Sequence, residues 1–242
     1  MGTTLCFDFG NTRLKCAVFE DKQLKEVRTL PNDGTPIIEA LIEKYCPEKS
    51  LLSSVIEHNP EIEKILSEKT LFHKLDHHSK IPILTPVSKP ETIGADRLAM
   101  VVAAVELFPG KNNLVIGLGT AITYNFINKK KEFVGGGISP GLEMRFKSLH
   151  TFTAKLPLIE KNWNFPLIGY DTRTNILSGV ILGMCKEIDG MIDLYAEKYG
   201  NLNVLITGGD AAYFGRHLKN EIFADLNLIF KGLNVISELN NV

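Results

Sequence analysis

The sequence has few features of a membrane, secreted or nucleic-acid-binding protein. No apolar run approaches the ~20 residues of a membrane-spanning helix, and the N-terminus lacks the basic-then-apolar pattern of a signal peptide. The four cysteines form no CxxC pair, which favours buried reduced thiols over a disulfide framework. With a net charge of -1, the chain has no basic surplus for nucleic acid. We therefore expect a cytoplasmic protein with neither membrane nor nucleic acid as partner.

Two common nucleotide-binding motifs are also missing. The chain contains no GxxxxGK[ST] segment and no GxGxxG after a predicted strand, so neither a P-loop nor a Rossmann fingerprint supports nucleotide binding. What the chain does have is length and apolar content. Its 242 residues, 44% of them hydrophobic, suffice for one large domain or two smaller ones.

Hydrophobic spacing predicts strands and helices in alternation, the pattern of an α/β fold. The predicted elements are strand–turn–strand units at 3–20 and 112–133, a short strand at 51–56, helices at 35–46 and 95–108, and one or two helices within 171–199. The last begins with Asp171 or Thr172 as its N-cap. In the first unit the turn falls at Gly10 and Asn11, two residue types that tolerate the positive φ of tight hairpins.

An internal match predicts a duplication. FDFGNT at 7–12 aligns with IGLGTA at 116–121, with Gly10 over Gly119. Self-similarity of this kind indicates two related α/β lobes, at 1–110 and 111–242, with a cleft between them. The alternative is that any two glycine-containing hairpins look alike by chance.

Three glycine-containing turns, at 10–12, 119–121 and 208–210, each follow an apolar strand. Backbone N–H groups exposed at such turns can surround phosphate oxygens, so the three together favour a nucleotide site over purely structural turns. Beside the first turn, Asp8 could orient a Mg²⁺-bound water and Lys15 could reach a phosphate. The alternative is that both residues are purely structural, with Asp8 capping the turn and Lys15 a solvated surface lysine.

PETIGADR, at 90–97, is the second group of residues that could do chemistry. Asp96 and Arg97 fall in the first turn of an otherwise apolar helix, just after Gly94. A carboxylate there is favoured by the helix dipole. It could accept a proton from a substrate alcohol, while Arg97 gathers an anion. An ordinary charge pair at a helix N-terminus is the structural alternative.

Taken together and in order, these pieces resemble the type III pantothenate kinases of the acetate and sugar kinase, heat-shock chaperone and actin superfamily. The matching segments are DFGNTRLK, GADR, GTAIT, GGGISPGLEMRFKSLHTFTAKLP and TGGD. The resemblance implies two duplicated ribonuclease H-like lobes of the actin-like ATPase type, with mixed sheets flanked by helices. It also implies ATP-dependent phosphorylation of pantothenate to 4′-phosphopantothenate, the first step of coenzyme A biosynthesis.

The resemblance further implies roles for individual residues. Nucleotide contacts fall on Asp8, Phe9, Gly10, Asn11, Thr12, Arg13, Leu14, Lys15 and Thr120. Pantothenate contacts fall on Gly94, Ala95, Asp96, Arg97 and Thr172, with Asp96 as the catalytic base. Members of the family are typically homodimers that need ATP, Mg²⁺ and a monovalent cation, K⁺ or NH₄⁺.

The chain departs from the family pattern at its second phosphate motif. That motif usually begins with the aspartate that binds the monovalent cation, where this chain has Gly117, and Asn125 stands where aspartate is common. Val87 likewise replaces a usual tyrosine. These changes predict a lost or weakened cation site. They also leave open a second hypothesis, a weakened or inactive relative that binds nucleotide or pantothenate in a regulatory role.

Overall fold

The computed structural model describes residues 2–241, and these group into two compact units. Unit 1 comprises the chain through Gly110, together with Asn128–Val134 and the segment from Asn227 onward. Unit 2 comprises Lys111–Ile127 and Gly135–Leu226. None of the helices within residues 2–241 combines the length and apolar character needed to cross a bilayer.

Unit 1 is built on a five-stranded mixed sheet of order β3-β2-β1-β4-β5. Its strands are β1 (Thr3–Phe9), β2 (Leu14–Glu20), β3 (Gln23–Leu30), β4 (Lys49–Ser54) and β5 (Leu71–Lys74). The helices of the first 110 residues are α1 (Thr35–Tyr45), α2 (Glu61–Lys69) and α3 (Ala95–Leu107). β1 pairs antiparallel with β2 and parallel with β4.

The second sheet has the order β10-β9-β6-β7-β8. Its strands are β6 (Asn112–Leu118), β7 (Ala121–Ile127), β8 (Phe133–Pro140), β9 (Leu202–Thr207) and β10 (Phe223–Ala224). The remaining helices are α4 (Leu142–Thr151), α5 (Thr172–Leu177), α6 (Gly183–Tyr199), α7 (Ala211–Phe214) and α8 (Leu228–Asn240). A π-helical turn, Ser178–Leu182, joins α5 to α6.

The two sheets repeat one topology. In each, the first strand pairs antiparallel with the second and parallel with the fourth, as β1 does with β2 and β4, and β6 does with β7 and β9. Strand order is also the same when the second sheet is read from β8 to β10. The structure therefore confirms the predicted duplication of an α/β unit.

Each unit has its own apolar core. In unit 1, β1 side chains at odd positions (Leu5, Phe7, Phe9) pack with apolar residues of α1 and α2. Because successive strand residues point to opposite faces, the even positions of β1, Asp8 among them, face the other side of the sheet. Helices α3 and α8 pack on that side, where both contact β4.

The packing of α8 on α3 depends on Gly232. A Cβ built at Gly232 would lie 1.8 Å from the carbonyl oxygen of Ala99, so only glycine allows the two backbones to approach this closely. In contrast, a Cβ built at Gly190, inside α6, would meet no neighbouring atom within 4 Å.

The two glycines give a matched pair of variants. Gly190→Ala is expected to raise the free energy of unfolding by up to about 1 kcal/mol, because alanine favours a helix interior. Gly232→Ala has the same propensity gain, but overpacking against Ala99 costs roughly 1–3 kcal/mol, and we expect net destabilisation. Thermal melts of both variants measure this, and a Gly232→Ala melting temperature at or above that of Gly190→Ala contradicts the close contact.

Candidate functional site

The turn after β1 is longer than the two-residue hairpin predicted from Gly10 and Asn11. It spans residues 10–13 and is closed by the Gly10 N–H, which donates to the Arg13 carbonyl oxygen at 3.1 Å. Neither Gly10 nor Asn11 has a positive φ, so that part of the prediction is wrong. A four-residue connection can reverse the chain without left-handed residues.

The side chains of this segment divide into two groups. Phe9 is fully buried, so it could contact a ligand only through its backbone, and the partly buried Leu14 packs against the same core. Asn11, Thr12 and Arg13 are exposed at the turn. Asp8 and Lys15 are paired across β1 and β2, directly before and after the turn.

Asp8 lies in an environment that disfavours its charge. Burial, and next the nearby carboxylate of Asp96, raise the pKa of Asp8 to about 7, while Lys15 lowers it. The first and second predicted segments, DFGNTRLK and GADR, therefore converge within unit 1. Two carboxylates and an ammonium group in one place form a site that a divalent cation would stabilise, because it relieves the repulsion between the acids.

Asp96 stands in the first turn of α3, with Gly94 as N-cap and Ala95 as the first helical residue. Burial raises the pKa of the Asp96 carboxyl, whereas the backbone N–H of Arg97 lowers it. The carboxylate bends back over Gly94, where an added Cβ would lie 2.5 Å from Asp96 Oδ1. The guanidinium of Arg97 lies 5.7 Å from the centre of the Phe133 ring. A side chain at position 94 would collide with the Asp96 carboxylate, so glycine there allows Asp96 to keep this orientation.

A serine–histidine–glutamate chain, which sequence spacing does not reveal, supports the end of β1. Ser54 Oγ lies 2.9 Å from His58 Nδ1, and His58 Nε2 lies 2.9 Å from Glu63 Oε1. The imidazole packs edge-on against Phe9 with ring centroids 5.6 Å apart. The Val55 N–H donates to the Phe9 carbonyl oxygen at 3.0 Å. These contacts fasten the segment after β4 to the strand that carries Asp8.

In unit 2, the other two predicted turns meet at the end of β6. Gly208 has φ +100°, and a Cβ there would lie 2.4 Å from the Leu118 carbonyl oxygen. The same oxygen accepts a hydrogen bond from the Asp210 N–H at 3.1 Å. The turns at 119–121 and 208–210 are therefore neighbours, and glycine is required at 208 for both its φ and its close approach.

Gly141, at the start of α4, packs directly on the Gly119–Thr120 turn. Its N–H donates to the Thr120 carbonyl oxygen at 3.0 Å, and a Cβ there would lie 2.2 Å from the Gly119 carbonyl oxygen. Any side chain at 141 would therefore displace this turn. The glycine-rich segment owes part of its composition to this contact.

An ion pair holds the start of α4 in place. Arg145 pairs with Glu187 of α6 and donates from Nε to the Pro140 carbonyl oxygen at 2.8 Å. The Tyr124 hydroxyl donates to the other oxygen of Glu187 at 3.2 Å. Because both side chains are more than 70% buried, the pair fixes the geometry of the segment that supports Thr120.

The positions that depart from the family pattern do not fit a cation site. Gly117 has no side chain, and Asn125 is fully buried with its amide nitrogen donating to the Val115 carbonyl oxygen and to Thr123 Oγ1, each at 3.1 Å. A cation needs oxygen ligands, whereas Asn125 presents N–H groups to the nearby oxygens.

Thr172 is the exposed first residue of α5. Asp171, not Thr172, is the N-cap, because its carboxylate accepts the Thr174 N–H at 2.7 Å. Thr174 forms the reciprocal half of a capping box. Thr172 is therefore released from capping, and its hydroxyl is available at the surface.

Comparison with known proteins identifies the family. Residues 4–194 match the sequence profile described as type III pantothenate kinase. The chain belongs to the type III pantothenate kinase family. Relatives with that name include a protein of Christiangramia forsetii, 43% identical, and one of Bacteroides fragilis strain YCH46, 42% identical; each alignment covers 98% of both chains.

Solved structures that resemble this chain confirm the fold. A glucokinase from an Antarctic psychrotroph superposes with a TM-score of 0.55 at 12% identity, covering 98% of this chain and 99% of the other. The ROK hexokinase of Thermus thermophilus gives 0.50 at 13% identity with the same coverage. The predicted fold class is therefore confirmed: duplicated ribonuclease H-like lobes with mixed sheets flanked by helices.

Proposed function

We infer that the protein transfers the γ-phosphoryl group of ATP to the terminal hydroxyl of pantothenate, the first step of coenzyme A biosynthesis. Membership of the pantothenate kinase family supports this reaction. The observation that carries it is the convergence of two partly buried acids in unit 1, where the charge of Asp96 acts on Asp8. No feature of the described residues favours an inactive relative over the enzyme.

Asp96 is the proposed general base. The new bond joins the pantothenate hydroxyl oxygen to the γ-phosphorus, the bond from that phosphorus to the β–γ bridging oxygen breaks, and the hydroxyl proton passes to an Asp96 oxygen. Burial disfavours the charged form of Asp96, which makes the carboxylate a better proton acceptor than a solvated one. Arg97, on the next residue, is placed to attract an anionic group.

Mg²⁺ fits the acidic residues of unit 1. Within residues 2–241 no three His, Cys, Asp or Glu side chains gather into an all-protein metal site. Mg²⁺ typically keeps several waters and binds through one or two carboxylates plus phosphates. Asp8 would hold it, through a water, and when bound it would neutralise charge on the phosphates. The positive charge would also favour the ionised form of Asp8.

The remaining contacts are proposed as follows. The nucleotide is bound by the turn segment through Asp8, Phe9, Gly10, Asn11, Thr12, Arg13, Leu14 and Lys15, and by Thr120. Pantothenate is bound by Gly94, Ala95, Asp96, Arg97 and Thr172. The proposed compartment is the cytoplasm, where the free and buried thiols of Cys6, Cys16 and Cys185 stay reduced.

A coupled assay for ADP, run with and without pantothenate, tests the function. The inferred kinase forms ADP only when pantothenate is present. Binding of Mg·ADP without turnover would indicate a regulatory relative, and ADP release that ignores pantothenate would indicate a different ATPase.

Potassium is expected to have little effect on the rate. Gly117 and Asn125 supply no carboxylate, and the Asn125 amide donates to the oxygens around it. Initial rates in potassium, sodium and choline buffers of equal ionic strength measure this, and we expect them to agree within error. Strong activation by potassium would mean that another residue has replaced the missing ligand.

A homodimer through unit 2 is the proposed assembly. Leu167, Ile168 and Tyr170 are 77%, 84% and 80% exposed. Leu167 also lines an apolar groove of about 640 Å³ with Trp163 and Phe165. Contiguous large apolar side chains of this kind mark protein interfaces, and burying each contributes about 1.5–3 kcal/mol. A second copy of the chain is the proposed occupant.

Light scattering tests the assembly. The wild-type protein is expected at twice the chain mass of 26.9 kDa, and Ile168→Glu at the mass of one chain, because a carboxylate would be buried without a partner. Leu84→Glu, at an exposed apolar residue of unit 1, is the control and should remain dimeric. A monomeric wild type, or a dimeric Ile168→Glu, contradicts this interface.

A further inference from the structure

Arg145, in the first half of α4, connects that helix to two other elements of unit 2. Its Nε donates to the Pro140 carbonyl oxygen at 2.8 Å, and Nη2 donates to Ser139 Oγ at 3.0 Å. The same Nη2 also donates to a carboxylate oxygen of Glu187, in α6. One guanidinium group therefore holds the end of β8, the start of α4 and the side of α6 together.

Glu187 is bonded through both of its oxygens. One accepts from Arg145, and the other accepts from the Tyr124 hydroxyl of β7 at 3.2 Å. Burial, and next the charge of Glu187, raise the pKa of the Tyr124 hydroxyl, so this group stays protonated and donates. The ion pair is thereby tied to β7, the strand that begins directly after the Gly119–Thr120 turn.

Two short contacts lead from Arg145 to this turn. The guanidinium holds the Pro140 carbonyl oxygen, and the next residue, Gly141, donates its N–H to the Thr120 carbonyl oxygen at 3.0 Å. A Cβ at Gly141 would lie 2.2 Å from the Gly119 carbonyl oxygen and 2.5 Å from that of Thr120. Because these backbones are already in close contact, a shift of Pro140 and Gly141 would displace Thr120.

Stability alone does not require an ion pair at this place. More than 70% of each side chain is buried, and apolar side chains of similar size often replace such a pair with no loss of stability. The pair does supply direction, because the planar guanidinium donates along fixed lines. Apolar contacts would hold α4 against α6 without fixing Pro140. The turn that Pro140 and Gly141 support gives a physical reason for the pair.

We propose that Arg145 is a positioning residue for the nucleotide, because its pair with Glu187 fixes the Gly119–Thr120 turn in the conformation that binds phosphate. This inference rests on the proposed function, in which Thr120 contacts the nucleotide. Arg145 acts through Pro140 and Gly141 and does not touch ATP. Pantothenate, whose proposed contacts lie on other segments, should bind equally well without the pair.

The double variant Arg145→Met/Glu187→Gln tests this role. It removes both charges together and leaves an acceptor for the Tyr124 hydroxyl, so its melting temperature should stay near that of wild type. Calorimetry with Mg·ADP, and initial rates against ATP and against pantothenate, measure the two substrates separately. We expect the Kd for Mg·ADP and the KM for ATP to rise about 10- to 100-fold, the effect of losing one hydrogen bond to a charged group. The KM for pantothenate should be unchanged.

Two further variants complete the experiment. Lys147→Met is the control, since it removes a charge from an exposed position of the same helix, and it should leave Mg·ADP affinity unchanged. Tyr124→Phe removes one hydrogen bond to Glu187 without changing a charge, and it replaces the double variant if that protein melts early. It should raise the Kd for Mg·ADP in the same direction.

Wild-type Mg·ADP affinity in Tyr124→Phe, or in a folded double variant, overturns the assignment. An equal rise in the KM values for ATP and pantothenate also overturns it, because it would show a general disturbance of the fold. The calorimetric comparison needs no turnover. A wild-type protein that binds Mg·ADP but does not phosphorylate pantothenate therefore contradicts the proposed function alone, and the Mg·ADP affinities of the variants still decide the role of Arg145.

Discussion

Asp96→Asn is expected to lower kcat for pantothenate phosphorylation by a factor on the order of 10² or more, the usual effect of losing a general base. Asparagine keeps the shape of the side chain but cannot accept the hydroxyl proton. Binding of Mg·ADP should persist, because the proposed nucleotide contacts are on other residues. Steady-state kinetics and calorimetry on the same preparation separate the two effects.

Asp193→Asn is the control for Asp96→Asn. Asp193 is an exposed carboxylate of α6 that pairs with Lys219 at 2.6 Å, and its loss should leave kcat unchanged. Full activity in Asp96→Asn would rule out the assigned role. Loss of both nucleotide binding and activity would instead show that the substitution disturbs the site as a whole.

Asp8→Asn is expected to abolish most activity while stabilising the protein at high pH. Activity should fall by a factor on the order of 10² or more, as when a group that stabilises transition-state charge is removed. Stability should rise because the burial of Asp8 and the nearby Asp96 carboxylate both disfavour its charge. A residue whose replacement costs activity and gains stability is typical of a functional site.

The sign of this effect depends on pH. The pKa of Asp8 is about 7 in the folded protein, against 3.8 for an ordinary aspartate. Between these values the folded state holds a proton that the unfolded chain has released, so the contribution of Asp8 to stability falls as pH rises from about 4 through 7. Asparagine removes this dependence. With about 1.4 kcal/mol per pKa unit, the shift from 3.8 to about 7 corresponds to roughly 4 kcal/mol, so we expect a gain of up to about that size at pH 8 and little difference at pH 4.

Urea denaturation of wild type and Asp8→Asn at the two pH values measures the effect. Asp193→Asn should instead be less stable than wild type at pH 8, because the hydrogen bond with Lys219 lowers the pKa of Asp193. If Asp8→Asn is no more stable than wild type at pH 8, the Asp8 carboxylate is not disfavoured in the folded state.

Strong periodicity made much of the fold predictable. The strand–turn–strand units became β1–β2 and β6–β7, and the helix predicted at 95–108 became α3. The duplication was visible because both units place an apolar strand before a glycine turn. Weakly patterned segments gave no such signal. β8 contains three consecutive glycines, at 135–137, and the close packing of α8 on α3 depends on one glycine facing one carbonyl group.

The candidate site was only partly predictable. Sequence motifs identify Asp8 and Asp96, but their proximity arises from the packing of α3 on the sheet, which no local pattern encodes. At the turn after β1 the sequence signal was misleading. Gly10 and Asn11 are residue types suited to a positive φ, but neither adopts one, because the longer connection does not need it.

The most direct test of the account measures ADP and phosphorylated pantothenate in the same reaction, by mass spectrometry, with pantothenate supplied or withheld. We predict one phosphorylated pantothenate for each ADP and almost no ADP without the acceptor. ADP formed without phosphorylated pantothenate, or neither product from folded protein that binds Mg·ADP, would contradict it.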